Sequence, residues 1–231
     1  MNERPLDQCG ILIATMSQAP SDPAKSLLVE HGSWDAVYRE TAPDQLPWNA
    51  GGPDADLVRL VESGKVPVGR AIDLGAGPGH DAIYLAQQKF KVLAVDISPA
   101  AIELAKANAK AAGVGVAIDF RVEDVLKLSS PAGTATFIND RGCFHVLAAA
   151  DRQTYINRVA GVLASEGLIF LRTFNEHEPP GPGPHRFTRK ELEDLFSPKF
   201  VFLEFTEGVF AGPAKPKAYC CLLQKKDGST R

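Results

Sequence analysis

The chain has 231 residues, 45% of them hydrophobic, and a formal net charge of −3. That composition supports one globular domain with a sizeable core, and it excludes the basic footprint that nucleic acid or an anionic membrane surface demands. The four cysteines, Cys9, Cys143, Cys220 and Cys221, show no zinc-ligand spacing, which fits a reduced, cytoplasmic protein.

Residues 1–24, with Pro5, Pro20 and Pro23, read as a flexible tail ahead of a single domain over 25–231. The apolar run Cys9–Met16 is short and has Glu3 and Asp7 before it, where a signal peptide wants a positive n-region and a longer apolar core. No stretch approaches the roughly 18 apolar residues of a membrane span. Residues 26–40 predict a helix, with Leu27, Leu28, His31, Trp34 and Tyr38 at helical spacings. A Pro/Gly-rich connector from Pro43 to Pro53 leads to a second helix, Asp54–Ser63, stopped by Gly64. Strands and helices then alternate. Arg70–Leu74, Lys91–Asp96, Val116–Val122, Ala135–Asn139 and Leu168–Thr173 read as strands. His80–Gln88, Pro99–Ala112 and Arg152–Ala164 read as the helices between them, the last ended by Ser165–Gly167. A helix at Arg189–Phe196 and strands at Phe200–Phe205 and Tyr219–Leu223 complete the pattern. The expected fold is α/β: a doubly wound, mostly parallel, seven-stranded sheet over 66–224, with an N-terminal helical segment over 26–63.

The turn after the first strand carries the densest signal, "AIDLGAGPGHDA". Gly75, Gly77 and Gly79 recur at every second position, where the backbone must turn sharply and approach something closely. Ligands of open α/β sheets bind outside the carboxyl ends of the strands, where this turn lies. A dinucleotide fingerprint would place its third glycine at position 80, which is His80. Here an acid, Asp73, precedes the first glycine. It would repel a pyrophosphate and suits a cofactor with a cationic amino-acid moiety.

This motif resembles the first motif of class I S-adenosylmethionine-dependent methyltransferases, and three later segments fit that family's order. The resemblance implies a Rossmann-like fold, S-adenosyl-L-methionine as cofactor and S-adenosyl-L-homocysteine as product. In the glycine motif it assigns cofactor contacts to Asp73, Gly75, Ala76, Gly77, Gly79, His80 and Asp81. "VLAVDIS" puts Asp96 where the family's acid meets the ribose hydroxyls, beside Ile97 and Ser98. "FRVEDVL" puts Asp124 where the adenine amino group is met, with Glu123 and Val125 beside it. "FINDRGCFHVL" brings Asn139 to the cofactor and Asp140, Cys143 and Phe144 toward the substrate. A narrower similarity, to the thiopurine and thiol/halide methyltransferases and tellurite-resistance-like relatives, rests on Trp34, Pro47-Trp48 and Gly79-His80-Asp81, with Asn49 where that group usually has an acid.

Methyl transfer from a sulfonium is an in-line displacement that needs alignment and exclusion of water. Trp34, Tyr38 and Trp48 are the candidate aromatic lid, and such rings stabilise a sulfonium by cation–π attraction. Arg141 and His145 are the candidate catalytic residues: Arg141 as an anchor for an anionic acceptor, His145 as a base or else a satisfied histidine at a helix start. His177 and His185 flank "EPPGPGP", a loop expected to be mobile over the pocket. Cys143 is expected as a small apolar wall, and no metal-ligand cluster is visible.

The expected reaction is methylation of a small molecule, with a thiol or other soft nucleophile as acceptor because a thiol near pKa ~8.5 ionises with little help. Methylation of oxygen or nitrogen on a small aromatic or heterocycle is the alternative. A nicotinamide-dependent oxidoreductase and an idle cofactor-binding module are the readings from other classes. A monomer or weak homodimer is the expected state.

Overall fold

A computed structural model of the chain describes residues 27, 30–181, 183–212 and 214–227. The tail expected over 1–24, and Cys9 within it, lie outside the described residues.

Seven strands form one sheet in the order β3-β2-β1-β4-β5-β7-β6. They are β1 (Arg70–Leu74), β2 (Lys91–Asp96), β3 (Ile118–Val122), β4 (Ala135–Arg141), β5 (Leu163–Phe174), β6 (Phe200–Val209) and β7 (Lys217–Lys225). The first five pair in parallel, and β7 runs antiparallel between β5 and β6. The helices are α1 (Trp34–Glu40), α2 (Ala55–Glu62), α3 (His80–Gln87), α4 (Pro99–Ala111), α5 (Arg152–Val162) and α6 (Arg189–Phe196). The doubly wound α/β architecture is the one the sequence predicts.

Strand alternation divides the core into two layers. Ile72, Ile138, Ile169 and Cys221 face one layer with Tyr155, Ile156 and Val159 of α5 and Leu192 and Phe196 of α6. Ala71, Phe137, Phe170 and Cys220 face the other, with Leu57 and Leu60 of α2 and Ala82 and Leu85 of α3. Each fully buried Leu, Ile or Phe contributes roughly 1.5–3 kcal/mol of transfer free energy. Cys220 and Cys221 thus stand on opposite faces, and with Cys143 they are free thiols.

Two boundaries differ from the expected ones. The single helix expected over 26–40 is broken, because Gly32 adopts φ +79° and Ser33 caps a fresh helix by accepting the Ala36 N–H. Ser165–Gly167 does not stop the chain before the fifth strand; β5 begins at Leu163 and carries Glu166 at φ +56° within an irregular register against β4.

Candidate active site

A cavity of about 820 Å³ opens at the carboxyl ends of β1 to β5. Sheet order gives it two halves: one beside β1, β2 and β3, the other beside β4, β5, β7 and β6.

In the first half the glycine turn is pinned from both sides. The Ala76 N–H donates to the Val95 carbonyl at 2.9 Å, and the Gly77 N–H donates to Asp96 Oδ2 at 2.9 Å. Gly77 adopts φ +51°, and a Cβ there would sit 2.7 Å from the Tyr38 hydroxyl. Asp96 also accepts from the Ser98 N–H at 2.9 Å. Burial raises its pKa, against the pull of these backbone donors. Ile97, Asp124 and Val125 continue this wall, and Ile97 stays 57% exposed along it.

Asp73 carries the sharpest polarity in this half. Its Oδ1 accepts from Asn139 Nδ2 at 2.7 Å, whereas its Oδ2 is buried with no hydrogen-bond partner among the described residues. The second amide proton of Asn139 goes to Asp81 Oδ2 at 3.1 Å, so one amide separates two buried acids. Burial first, and then the Asp81 charge, hold the Asp73 carboxyl well above the usual carboxylate range. A buried, unpartnered carboxylate oxygen at the cavity wall matches a ligand ammonium group. A nearby apolar wall and an acid with lone pairs to spare match a nucleoside. The residues present fit S-adenosylmethionine.

The N-terminal segment roofs this half. Trp48 packs edge-on against Trp34 and Tyr38, at centroid separations of 5.6 and 5.8 Å, and its Nε1–H donates to the Tyr38 hydroxyl at 2.8 Å. His80 Nε2 meets Asn49 Oδ1 at 2.9 Å, so the amide at position 49 ties the roof to α3. Asp35 accepts from Ser98 Oγ and from the Ala100 N–H, tying α1 to the start of α4.

In the second half, Arg141 Nε donates to Asp54 Oδ2 at 3.1 Å and its Nη1 to the Trp48 carbonyl at 3.2 Å. Arg172 of β5 pairs with the same Asp54 oxygen. The wall beyond them is apolar and aromatic: Val146, Leu147, Phe174, Pro184 and Phe210. His145 is buried against Phe174 and Phe210, and its Nδ1 accepts the Phe174 N–H at 3.0 Å. Desolvation pulls its pKa down to about 3. Among the described residues no group of three or more His, Cys, Asp or Glu side chains gathers as a metal site, and no helix is long and apolar enough to cross a membrane.

Residues 71–167 match the family described as a methyltransferase domain. The chain is 30% identical over 170 residues to a 2-heptyl-1-hydroxyquinolin-4(1H)-one methyltransferase of Mycobacteroides abscessus, covering 71% of this chain and 74% of that protein. The chain belongs to the class I S-adenosylmethionine-dependent methyltransferases. It is also 27% identical over 187 residues to a probable thiol methyltransferase 2 of Arabidopsis thaliana, covering 80% and 81% of the two chains. The fold is shared with a structure solved for the conversion of a disulfide bond into a thioacetal group during echinomycin biosynthesis, with TM-score 0.74, 24% identity and coverage of 86% and 94%. Family membership makes the chain an enzyme acting on small molecules and sets aside the oxidoreductase and idle-module alternatives.

Within this methyltransferase the cavity gathers most of the residues singled out from the sequence: Asp73, Gly75, Ala76, Gly77, His80, Asp81, Asp96, Ile97, Asp124, Val125, Arg141, Cys143 and His145, with Trp34, Tyr38 and Trp48. Six others stand behind its wall. Gly79 lets α3 meet α4, where a Cβ would lie 2.9 Å from Ala105. Ser98 caps α4 by accepting the Ala101 N–H. Glu123 accepts the Ser129 N–H. Asn139 bridges Asp73 and Asp81. Asp140 is corrected from substrate contact to structural anchor: it accepts from the Cys143 and Phe144 N–H groups and from the Tyr155 hydroxyl. Phe144 is core, packed on Tyr155, Phe187 and Phe196.

The two catalytic candidates also change. Arg141 gives two of its five N–H donors to Asp54 and the Trp48 carbonyl, which anchors it to the roof while it still lines the cavity. His145 spends Nδ1 on the Phe174 N–H and desolvation draws its pKa down to about 3, which favours the satisfied histidine over the base. Sequence reading missed Asp54, Arg172, Phe174 and Phe210, which meet only through the tertiary fold. Position was an available signal for Arg172, which falls in the strand expected over Leu168–Thr173, whereas Phe174 lies one residue beyond that strand's expected end.

Proposed function

We propose that this methyltransferase methylates a small aromatic acceptor that reaches the cavity already ionised, with an aromatic thiol as the leading class. Bound S-adenosylmethionine supplies an electrophilic methyl group on a sulfonium. In this reading Asp73 Oδ2 receives the cofactor ammonium, Asp96 the ribose hydroxyls, and Ile97, Asp124 and Val125 the adenine. Trp34, Tyr38 and Trp48 exclude water and face the cationic centre.

The observation that carries the acceptor reading is the makeup of the second half. Its walls are aromatic and proline-rich with the cations Arg141, Arg186, Lys215 and Lys217 among them, and its imidazole and carboxylate each hold a backbone donor: His145 Nδ1 accepts the Phe174 N–H and Glu178 Oε2 the Lys217 N–H. A nucleophile that ionises by itself suits such a site, whereas an ordinary alcohol does not. The Mycobacteroides relative favours a second reading, in which an acidic N-hydroxyl of a heteroaromatic ring takes the methyl group at oxygen. Both readings place a single small molecule in the cavity of a monomer or weak dimer in a reducing cytoplasm, with no nucleic acid or membrane involved.

Transfer of labelled methyl to nitrobenzenethiol, an N-hydroxyquinolone, phenol and a set of N-heterocycles tests the class. Turnover of the thiol supports the first reading. Turnover of the N-hydroxyquinolone alone supports the second. Transfer only to phenol or to ring nitrogen overturns both.

A further inference from the structure

The backbone N–H of Phe174 has a fixed proton, so the His145 Nδ1 that accepts it at 3.0 Å carries none. The ring lies edge-on to Phe174 at 4.8 Å and beside Phe210 at 5.6 Å. This surrounding is too apolar to hold an imidazolium, and desolvation accordingly draws the pKa down to about 3. A neutral imidazole with a bare Nδ1 has its hydrogen on Nε2. That atom forms no hydrogen bond among the described residues, and His145 lines the cavity, with Nε2 lying next to Gly142.

We propose that His145 is a tautomer-locked hydrogen-bond donor whose Nε2–H holds the anionic atom of the acceptor, making it a specificity-determining residue rather than a base. The inference rests on the methyl-transfer reading above and deepens it. The Nε2–H bond takes one lone pair of the acceptor anion. Another lone pair forms the new bond to the methyl carbon as the carbon–sulfonium bond breaks and returns its electrons to sulfur. No proton moves in the step, so none has to be accepted by the protein. A protonated acceptor presents only a neutral lone pair to the Nε2–H, a weaker partner than the anion, so the donor favours the ionised form.

Three substitutions and one spectrum test the assignment. In His145→Gln the side-chain oxygen accepts the Phe174 N–H while the amide NH₂ still donates to the cavity, and a glutamine cannot act as a base. Expected with nitrobenzenethiol, which is ionised at neutral pH, is near-wild-type turnover in His145→Gln. His145→Ala and His145→Glu are expected to raise KM about tenfold or more. His145→Gln as impaired as His145→Ala, or His145→Ala sparing nitrobenzenethiol while losing a weakly acidic alkyl thiol, overturns the proposal in favour of a base. Long-range proton–nitrogen NMR of the wild-type imidazole reads the tautomer without any acceptor. The expected spectrum shows a bare Nδ1 and a protonated Nε2 unchanged across neutral pH, and a protonated Nδ1 or a titrating ring overturns the lock. If no thiol is methylated, the thiol reading fails while the spectrum still decides the state of His145.

Discussion

Asn139 donates to one oxygen of Asp73, a residue of the cavity wall, at 2.7 Å and leaves the other buried with no partner among the described residues. Two acids sharing one amide are held apart in charge only poorly, which is why burial and the Asp81 charge together lift the Asp73 pKa. A cation arriving at the free oxygen relieves that state. Asp73→Asn should therefore weaken S-adenosylhomocysteine binding by about tenfold to a hundredfold, the loss of a charge-assisted hydrogen bond of roughly 1.5–3 kcal/mol. Titration calorimetry measures it, and unchanged affinity would remove Asp73 from the ammonium site.

Asp96→Asn probes the ribose side. The variant retains one acceptor oxygen for the Gly77 or Ser98 N–H and loses the charge, so the fold should persist while S-adenosylmethionine affinity falls by about ten- to a hundredfold. A melting temperature equal to wild type with equal affinity would show that the carboxylate organises the loop without meeting ligand.

Gly77→Ala should disturb the roof from below. An alanine at φ +51° is strained, and its Cβ would stand 2.7 Å from the Tyr38 hydroxyl. A loss of about 1–3 kcal/mol is expected, together with a shift in tryptophan emission as Trp48 is displaced. Unfolding curves and fluorescence that match wild type would refute the contact.

Asp54 holds two guanidinium groups, from Arg141 and Arg172, and is almost fully buried. Without Asp54, buried Arg172 keeps only the longer carboxylate pairing with Asp56 at 3.5 Å among the described residues, so Asp54→Ala should destabilise by up to about 3–5 kcal/mol. Urea denaturation reads this directly, and a change below the resolution of the method would mean that the two arginines find water instead.

The buried carboxyls should favour the ligand-free fold at lower pH, against the opposite pull of Asp35, Glu191 and Glu204, whose pKa values are lowered. Burial raises the Asp140 carboxyl from 3.8 to about 6, so the folded chain holds that proton more tightly than the unfolded chain does. With a raised folded-state pKa, stability is greatest below 3.8 and declines as pH rises through about 6, by roughly 3 kcal/mol for this one group. Asp73, Asp81 and Asp96 are shifted in the same direction. Urea midpoints across this interval should show a shallower slope for Asp140→Asn than for wild type. Identical slopes would assign the pH dependence elsewhere.

The sheet was legible because its strands are short apolar runs between glycine-rich turns, and the cofactor half was legible because its residues follow strand ends in chain order. The acceptor half was not. Asp140 was placed toward the substrate by its neighbours in sequence, yet in β4 it shares a face with Ile138, in the layer that Tyr155 closes. Asn139 and Arg141 take the opposite parity, and Asn139 stands beside Asp73 in register. Strict alternation along "FINDR" would have separated them. Gly32 hid within a run of helical spacings that continues on both sides of it. Phe210 lies far along the chain in a loop whose sequence carries no period, so only the return of β6 and β7 brings it to the site.

Ser98 occupies a junction whose effect is temporal. Its N–H goes to Asp96 and its hydroxyl to Asp35, so the acid assigned to the ribose and the first helix of the roof lean on one residue. A nucleoside that steadies Asp96 also steadies the mooring of α1, and by linkage a settled roof tightens the nucleoside. The expected outcome is ordered binding, with the acceptor meeting a finished chamber after the cofactor has entered. Product-inhibition kinetics reveal that order: S-adenosylhomocysteine should compete with S-adenosylmethionine and not with the acceptor, and competition with both would describe a roof that closes independently of the nucleoside.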